Sequence, residues 1–200
     1  MIEITKTFNE QKYVVIKKFV PDVVLKTLER YLYFKTLRYP ETNQSFYSEP
    51  VGLGHACSSH SWYADPLAEV ILENSKNQLE ILTNLKLYPT YSYTRIYTKN
   101  NFLSPHKDRP PCEISVTCNI ATEGGVWPFY LSDDDGAEAR VELEPGDAVV
   151  YRGCELVHWR DRMDHSEWVV QMMLHYVDAN GPNVNFKDDK RPSLGMPFPE

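Results

Sequence analysis

The chain has 200 residues, 42% of them hydrophobic and 24% charged, with a net charge of −7 at neutral pH. That is the profile of an ordinary globular protein, long enough to bury a sizeable core. No apolar run approaches the roughly 18 residues of a membrane span, and the acidic balance argues against a nucleic-acid partner, whose binding rests on clustered Lys and Arg.

The N-terminal stretch MIEITKTFNEQKYVVIKKF lacks a basic start followed by an apolar run, so it is not read as a secretory signal. Within it, YVVIKKF (13–19) predicts a strand. Pro21-Asp22 then opens a helix on which Val24, Leu25, Leu28, Tyr31 and Leu32 recur at helical spacing. Residues 40–63, rich in Pro, Ser, Gly and Asn, read as a loop. A second helix begins at Asp65-Pro66, a capping residue before a proline at the first helical position. Leu67, Val70, Ile71, Leu79 and Leu82 form its expected apolar stripe.

Beyond about residue 90 the pattern changes. YSYTRIYT, EISVTCNIA, VWPFYL, ARVELE, DAVVYRG, ELVHWR and EWVVQMMLHYV are short β-rich runs, separated by turn signals such as Glu144-Pro145-Gly146-Asp147. Seven such runs predict an antiparallel sandwich or barrel, and with the preceding helices an α+β fold in which the helices buttress one sheet. One domain is expected over 1–200: strand, helices and loop over 1–89, the β core over 90–178, and an irregular surface tail over 179–200. Four widely spaced cysteines (Cys57, Cys112, Cys118, Cys154) form no CxxC pair and read as free thiols, which sets the expected location as cytoplasmic.

The tripeptide His106-Lys107-Asp108 raises the question of a metal site. Iron(II) in oxygen-using enzymes is typically held by two His and one carboxylate. Residues i and i+2 of a strand project to one side, so His106 and Asp108 can reach one ion. A third ligand is expected from a later strand facing the first across the barrel. His158, opening a strand after a Gly-containing loop, is preferred over His175, which lies in a continuous apolar strand and suits packing or a supporting role. Taken alone, His158 could equally be a hydrogen-bonded core histidine. The loop HACSSHSW (55–62), with His55, Cys57 and His60, lacks a convincing fourth ligand for zinc and reads as a lid approached through Gly52-Leu53-Gly54. Signatures of P-loops, Rossmann turns and serine nucleophile elbows are absent from the sequence.

Together RIYTKNNFLSPHKD, VTCNI, LEPGDAVVYRG and VHWR resemble the Fe(II)/2-oxoglutarate-dependent oxygenases, closest to the prolyl-hydroxylase-like branch, over about residues 90–178. The resemblance implies a double-stranded β-helix of the jelly-roll or cupin type, with Fe(II) on His106, Asp108 and His158, and 2-oxoglutarate and O2 as cosubstrates. It also implies a cation for the far carboxylate of 2-oxoglutarate, for which the family often uses a residue about ten positions after the distal histidine. This chain departs there, because EWVVQMMLHYV contains no Arg or Lys.

The nearest substitute is Arg160, on the same strand face as His158 and about 6.6 Å further along. Arg162 is the second choice and Arg95 the third, and the rival reading of Arg160 is a surface salt bridge with Asp161 or Asp164. Tyr97, nine residues before His106, falls where the family often carries a tyrosine on the cosubstrate. Tyr91, Tyr93, Arg95 and Tyr97 alternate onto one face, as a polar pocket wall would, and Asn119 is a further, lower-ranked contact. Trp127 and Trp159 read as core, and Asp133-Asp134-Asp135 as a solvated turn.

The expected activity is hydroxylation of an unactivated C–H bond in a peptide, protein or small molecule, with release of succinate and CO2. Lys107 and Arg109 could meet an anionic substrate or be solvated surface charges. The alternatives are a non-catalytic cupin-like metal-binding protein and an AlkB-type nucleic-acid demethylase, the latter opposed by net acidity and the missing later arginines.

Overall fold

A computed structural model describes residues 2–38 and 60–196. Helix α1 (Ile2–Gln11), unanticipated from the sequence, precedes strand β1 (Tyr13–Ile16), which stops three residues earlier than expected. Helix α2 (Asp22–Arg38), strand β2 (Ser61–Tyr63) and helix α3 (Pro66–Thr83) follow. The β region comprises β3 (Leu87–Thr98), β4 (Leu103–His106), β5 (Ile114–Glu123), β6 (Phe129–Ser132), β7 (Glu138–Val141), β8 (Ala148–Arg152), β9 (Val157–Arg160) and β10 (Trp168–Asp178). Short 3-10 turns lie at Pro110–Cys112 and Val184–Lys190. Among the described residues, no helix is long and apolar enough to cross a membrane.

The start of α3 follows from its first two residues. Asp65 accepts from the backbone N–H groups of Leu67 (3.0 Å) and Ala68 (3.1 Å), and Pro66 occupies the position where no N–H is needed. The helix buries Ala68, Leu72, Leu79 and Leu82 rather than the full expected stripe. Val70 is 49% exposed and Leu72 fully buried, because the face toward the sheet is centred on the 68–72–79 row.

The strands form two antiparallel sheets, β1-β8-β5-β10-β3-β2 and β4-β9-β6-β7. On the larger sheet, Ile114, Val116, Cys118 and Ile120 of β5 and Met172, Leu174 and Tyr176 of β10 point outward. There they pack against Phe8, Leu28, Leu32, Leu72 and Leu79 of the helices. The intervening residues point inward, toward the smaller sheet, where Phe129, Leu131, Val149, Tyr151 and Leu156 make a second cluster. Both faces of β5 are thus covered, and its sequence ISVTCNIATE alternates accordingly, apolar toward the helices and polar at Ser115, Thr117 and Asn119 toward the interior. The alternation also leaves polar residues, among them Thr117, Gln171 and His175, facing the space between the sheets.

The described part of the tail runs over the surface, mostly exposed or half-buried, with Asp189 and Arg191 as its buried anchors. Arg191 inserts beneath it, hydrogen-bonding Glu69 (2.5 Å) and the carbonyls of Thr90, Met196 and Asp188 (2.9 Å each). Asp188, Asp189 and Lys190 all adopt left-handed backbone angles, and the buried Asp189 accepts from Tyr63 (2.6 Å) and Arg109 (3.3 Å). Such a run is held only where its surroundings over-determine it.

Candidate metal centre

His106 ends β4, and in the register of the smaller sheet it lies directly opposite His158 on β9. The third ligand candidate therefore comes from the adjacent strand and not from across the barrel. Cross-strand partners place their Cβ atoms about 5 Å apart, and the two imidazole centroids lie 4.3 Å apart. Asp108 lies past the end of β4, so a shared strand face is not what aims it. Its backbone N–H donates to the Gly153 carbonyl (2.9 Å), and that bond turns the carboxylate back toward the histidines.

One ligating atom from each of His106, Asp108 and His158 lies within 4.8 Å of the others. The Asp108 Oδ1 is 3.8 Å from His106 Nε2 and 3.5 Å from His158 Nε2. Each imidazole is held by its other nitrogen: His106 Nδ1 at 2.8 Å from the Ser104 carbonyl, His158 Nδ1 at 3.0 Å from that of Leu156. Carbonyls only accept, so both rings carry a proton on Nδ1, which leaves Nε2 as the atom on the Asp108 side that an ion could engage. Burial would raise the pKa of Asp108, but hydrogen bonding and charge from His158, helped by His175 and Ser115, hold it at about 2. Two imidazole nitrogens and one carboxylate oxygen are a donor set that fits a divalent transition metal.

A second trio, Asp108, Cys112 and His175, is equally close. It is less suited to an ion, because burial pushes the Cys112 thiol well up and keeps it protonated, while the Ser115 hydroxyl already sits 2.9 Å from both Asp108 Oδ2 and His175 Nδ1.

The three residues border a cavity of about 470 Å³ between the sheets, which Tyr91, Tyr93, Arg95 and Tyr97 of β3 also line. Arg160 lines it too, on the inward face of β9 with His158, and only 3% of it is exposed. Its guanidinium donates to the Trp127 carbonyl and to Gln171 Oε1 (3.1 Å), and packs over the rings of Trp127 (4.8 Å) and Phe129 (5.0 Å). Neither Asp161 nor Asp164 pairs with it; among the described residues it has no carboxylate partner at all. Burial lowers its pKa to about 10, which still leaves it charged at neutral pH. Tyr97 packs edge-on to Trp127 at 4.9 Å, with Arg95 over its ring at 5.0 Å.

Two expected contacts lie elsewhere. Asn119 donates to the Leu143 carbonyl (2.7 Å) and lies outside the cavity lining. Arg162 borders a separate hollow beside Trp127, because two residues past the end of β9 the chain has left the inner face. Lys107 pairs with Asp134 (2.7 Å) at the cavity's border, and Arg109 lines the cavity against Tyr91. Trp127 is buried, and Trp159 stacks on Tyr130 away from the cavity. Of the loop reading, His60 stacks near Trp62, while His55, Cys57 and Gly52-Leu53-Gly54 fall outside the described residues. Gln171 and Ser115 were missed by the sequence reading. For Gln171 the signal existed, since Gln171, Met173 and His175 alternate onto one face of β10.

The two facing antiparallel sheets make a double-stranded β-helix, and solved 2OG-Fe(II) oxygenases share the fold. A prolyl-4-hydroxylase from Pseudomonas putida superposes with a TM-score of 0.67 at 15% identity, covering 88% of this chain and 98% of its own. The alpha-ketoglutarate-dependent epimerase SnoN from nogalamycin biosynthesis gives 0.71 at 13%, covering 100% of this chain and 92% of its own. HygX from Streptomyces hygroscopicus, solved with nickel and 2-oxoglutarate bound, gives 0.67 at 10%, covering 90% and 88%. No protein-family model and no curated relative matches the sequence.

Proposed function

We propose that this protein is an Fe(II)- and 2-oxoglutarate-dependent oxygenase. In the proposed reaction a substrate C–H bond becomes C–OH, one O2 is consumed, and 2-oxoglutarate is oxidised to succinate and CO2. The carrying observation is Arg160, a buried cation with no anionic partner among the described residues, in the same cavity as His106, Asp108 and His158. A buried charge without a counterion costs several kcal/mol, so the cavity favours an anion brought from outside. A guanidinium is the group best suited to pair both oxygens of a carboxylate.

Bound iron would supply the O2 chemistry and the oxidising power, as metal cofactors do for reactions that side chains cannot perform. His106, Asp108 and His158 would hold it through Nε2, Oδ1 and Nε2. Arg160 would receive the far carboxylate of 2-oxoglutarate, with Gln171 and the Trp127 carbonyl fixing the guanidinium plane. Tyr97 and Arg95 flank that end of the cavity, and Phe129, Tyr151 and Met173 help exclude water. The substrate, a peptide, protein or small molecule, would enter past Tyr93 and Arg109. A non-catalytic metal-binding protein would have no use for an unpaired Arg160.

The test uses anaerobic protein, Fe(II) and 2-oxoglutarate, read by the visible metal-to-ligand charge-transfer band, followed by O2 and a succinate assay. Wild type should give both signals and His106→Ala neither. Arg160→Met should keep its metal and lose 2-oxoglutarate affinity by at least about 30-fold, as expected for removing one partner of a buried charge pair. Wild-type protein lacking both band and succinate overturns the reading; an unaffected Arg160→Met overturns the role given to that residue.

A further inference from the structure

We propose that Ser115 and His175 are positioning residues that lock one oxygen of Asp108 away from the metal and present the other to it. This rests on the metal assignment above and extends it to side chains that do not touch the ion. The argument begins with the hydroxyl of Ser115. It has one proton and several polar neighbours: Asp108 Oδ2 (2.9 Å), the Cys112 carbonyl (3.0 Å), His175 Nδ1 (2.9 Å) and the hydroxyl of its cross-strand partner Tyr151. The ionised carboxylate is the strongest acceptor among them, so the proton goes to Oδ2. Oγ is then left to accept, and the donor that faces it from β10 is Nδ1–H of His175 at 2.9 Å. The result is a directed chain, from His175 to Ser115 to Asp108.

Several features hold the chain in place. Ser115 and His175 are cross-strand partners on β5 and β10. Against its other neighbour, β3, the register of β10 shifts between Leu174 and Tyr176, an irregularity centred on His175. Such irregularities re-aim side chains beside functional sites. The His175 ring packs against Tyr91 with centroids 4.6 Å apart, and the Tyr91 hydroxyl is itself engaged by Cys112 Sγ at 3.0 Å.

Gly153 closes the remaining side of Asp108. A Cβ there would lie 2.3 Å from Asp108 Oδ2 and 2.9 Å from Ser115 Oγ, so a residue without a side chain is required for the backbone to approach. Oδ2 is therefore enclosed by Ser115 and Gly153, while Oδ1 faces the two Nε2 atoms. A carboxylate free to turn could engage an ion through both oxygens and crowd the cosubstrate.

The experiment is a titration of metal-free protein with Co(II), following affinity and the visible Co(II) spectrum. Ser115→Ala should weaken binding about 10- to 100-fold, the usual cost of losing a partner that orients a ligand, and alter the spectrum. Ser115→Thr, which keeps the hydroxyl, should restore both. His175→Leu should weaken binding, and His175→Asn, whose amide N–H replaces Nδ1–H, should rescue it. Because His175 acts through Ser115, the double variant Ser115→Ala/His175→Leu should bind no more weakly than Ser115→Ala alone.

Unchanged affinity and spectrum in Ser115→Ala, with only the melting temperature lowered, would overturn the proposal; so would independent, additive losses in the double variant. If Ser115→Ala does not fold, the His175→Leu and His175→Asn pair decides alone, equal binding by both overturning the proposal. Failure of the underlying metal assignment looks different: wild type would then bind Co(II) no better than His106→Ala.

Discussion

Arg191, at the junction of the tail with α3, and Arg160, on the wall of the cavity, are buried to the same degree, 4% and 3% exposed. Arg191 is matched on every side by Glu69 and three backbone carbonyls. Among the described residues Arg160 has two neutral acceptors and two aromatic faces, and no carboxylate. The first is a completed ion pair that ties the tail to the body of the protein. The second is a buried cation without an anion among the described residues, which is what the proposed 2-oxoglutarate site calls for. Burial alone does not distinguish the two; the inventory of partners does.

That contrast can be broken most sharply at Arg191. Arg191→Met leaves Glu69 buried without its charge partner, and should cost about 3–5 kcal/mol in chemical denaturation. The 2-oxoglutarate affinity of the folded fraction should stay at the wild-type value. Arg160→Met should show the reverse, with stability kept and affinity lost. Destabilisation by Arg160→Met together with weakened cosubstrate binding in Arg191→Met would erase the distinction.

A second, somewhat smaller effect should appear in the pH dependence of metal-free protein. Burial is the main cause that lowers the pKa of His175 to about 4; the Asp108 charge opposes it, and Arg109 and His158 add to it. The unfolded chain takes up this proton near the ordinary value of 6.5 and the folded chain only near 4. Between the two, the unfolded state binds more protons, so stability rises with pH across that window and levels off above it. The amplitude is about 3 kcal/mol at 1.36 kcal/mol per unit. His175→Asn should flatten the rise; an unchanged slope would mean that the imidazole is not held neutral.

The smallest effect is expected at Lys107, although it lies between two proposed ligands. Its partner Asp134 is exposed, and solvent-exposed pairs contribute little. Lys107→Ala should leave the melting temperature unchanged, and a clear drop would show that proximity to the site confers structural weight after all.

Much of this arrangement was legible along the chain. Asp65-Pro66 announces α3 because capping is a local interaction within one turn. Tyr91, Tyr93, Arg95 and Tyr97 announce a pocket wall because strand side chains alternate, and all four line the cavity. The spacing of His158 and Arg160 gives both the inward face for the same reason. Less legible was anything that depends on which strand lies beside which. β4 is four residues long and contains Pro105, too little pattern to announce a strand. Without it, the direct pairing of His106 with His158 could not be anticipated. Asn119, expected as a lower-ranked cosubstrate contact, instead gives its amide to the Leu143 carbonyl.

By itself, then, the sequence determined the α+β class, nominated His106, Asp108 and His158 as candidate ligands, and set the shared inward face of His158 and Arg160, because these follow from local periodicity and donor chemistry. Only the tertiary structure decided that Asp108 reaches the histidines through a turn held by Gly153, that Ser115 stands between it and His175, and that among the described residues Arg160 is left without a carboxylate while Arg191 has one. Each of these is a contact between residues far apart in the chain, fixed by strand register and by the shape of the packed interior, and a hydrogen-bond partner cannot be assigned before the strands that bring it near.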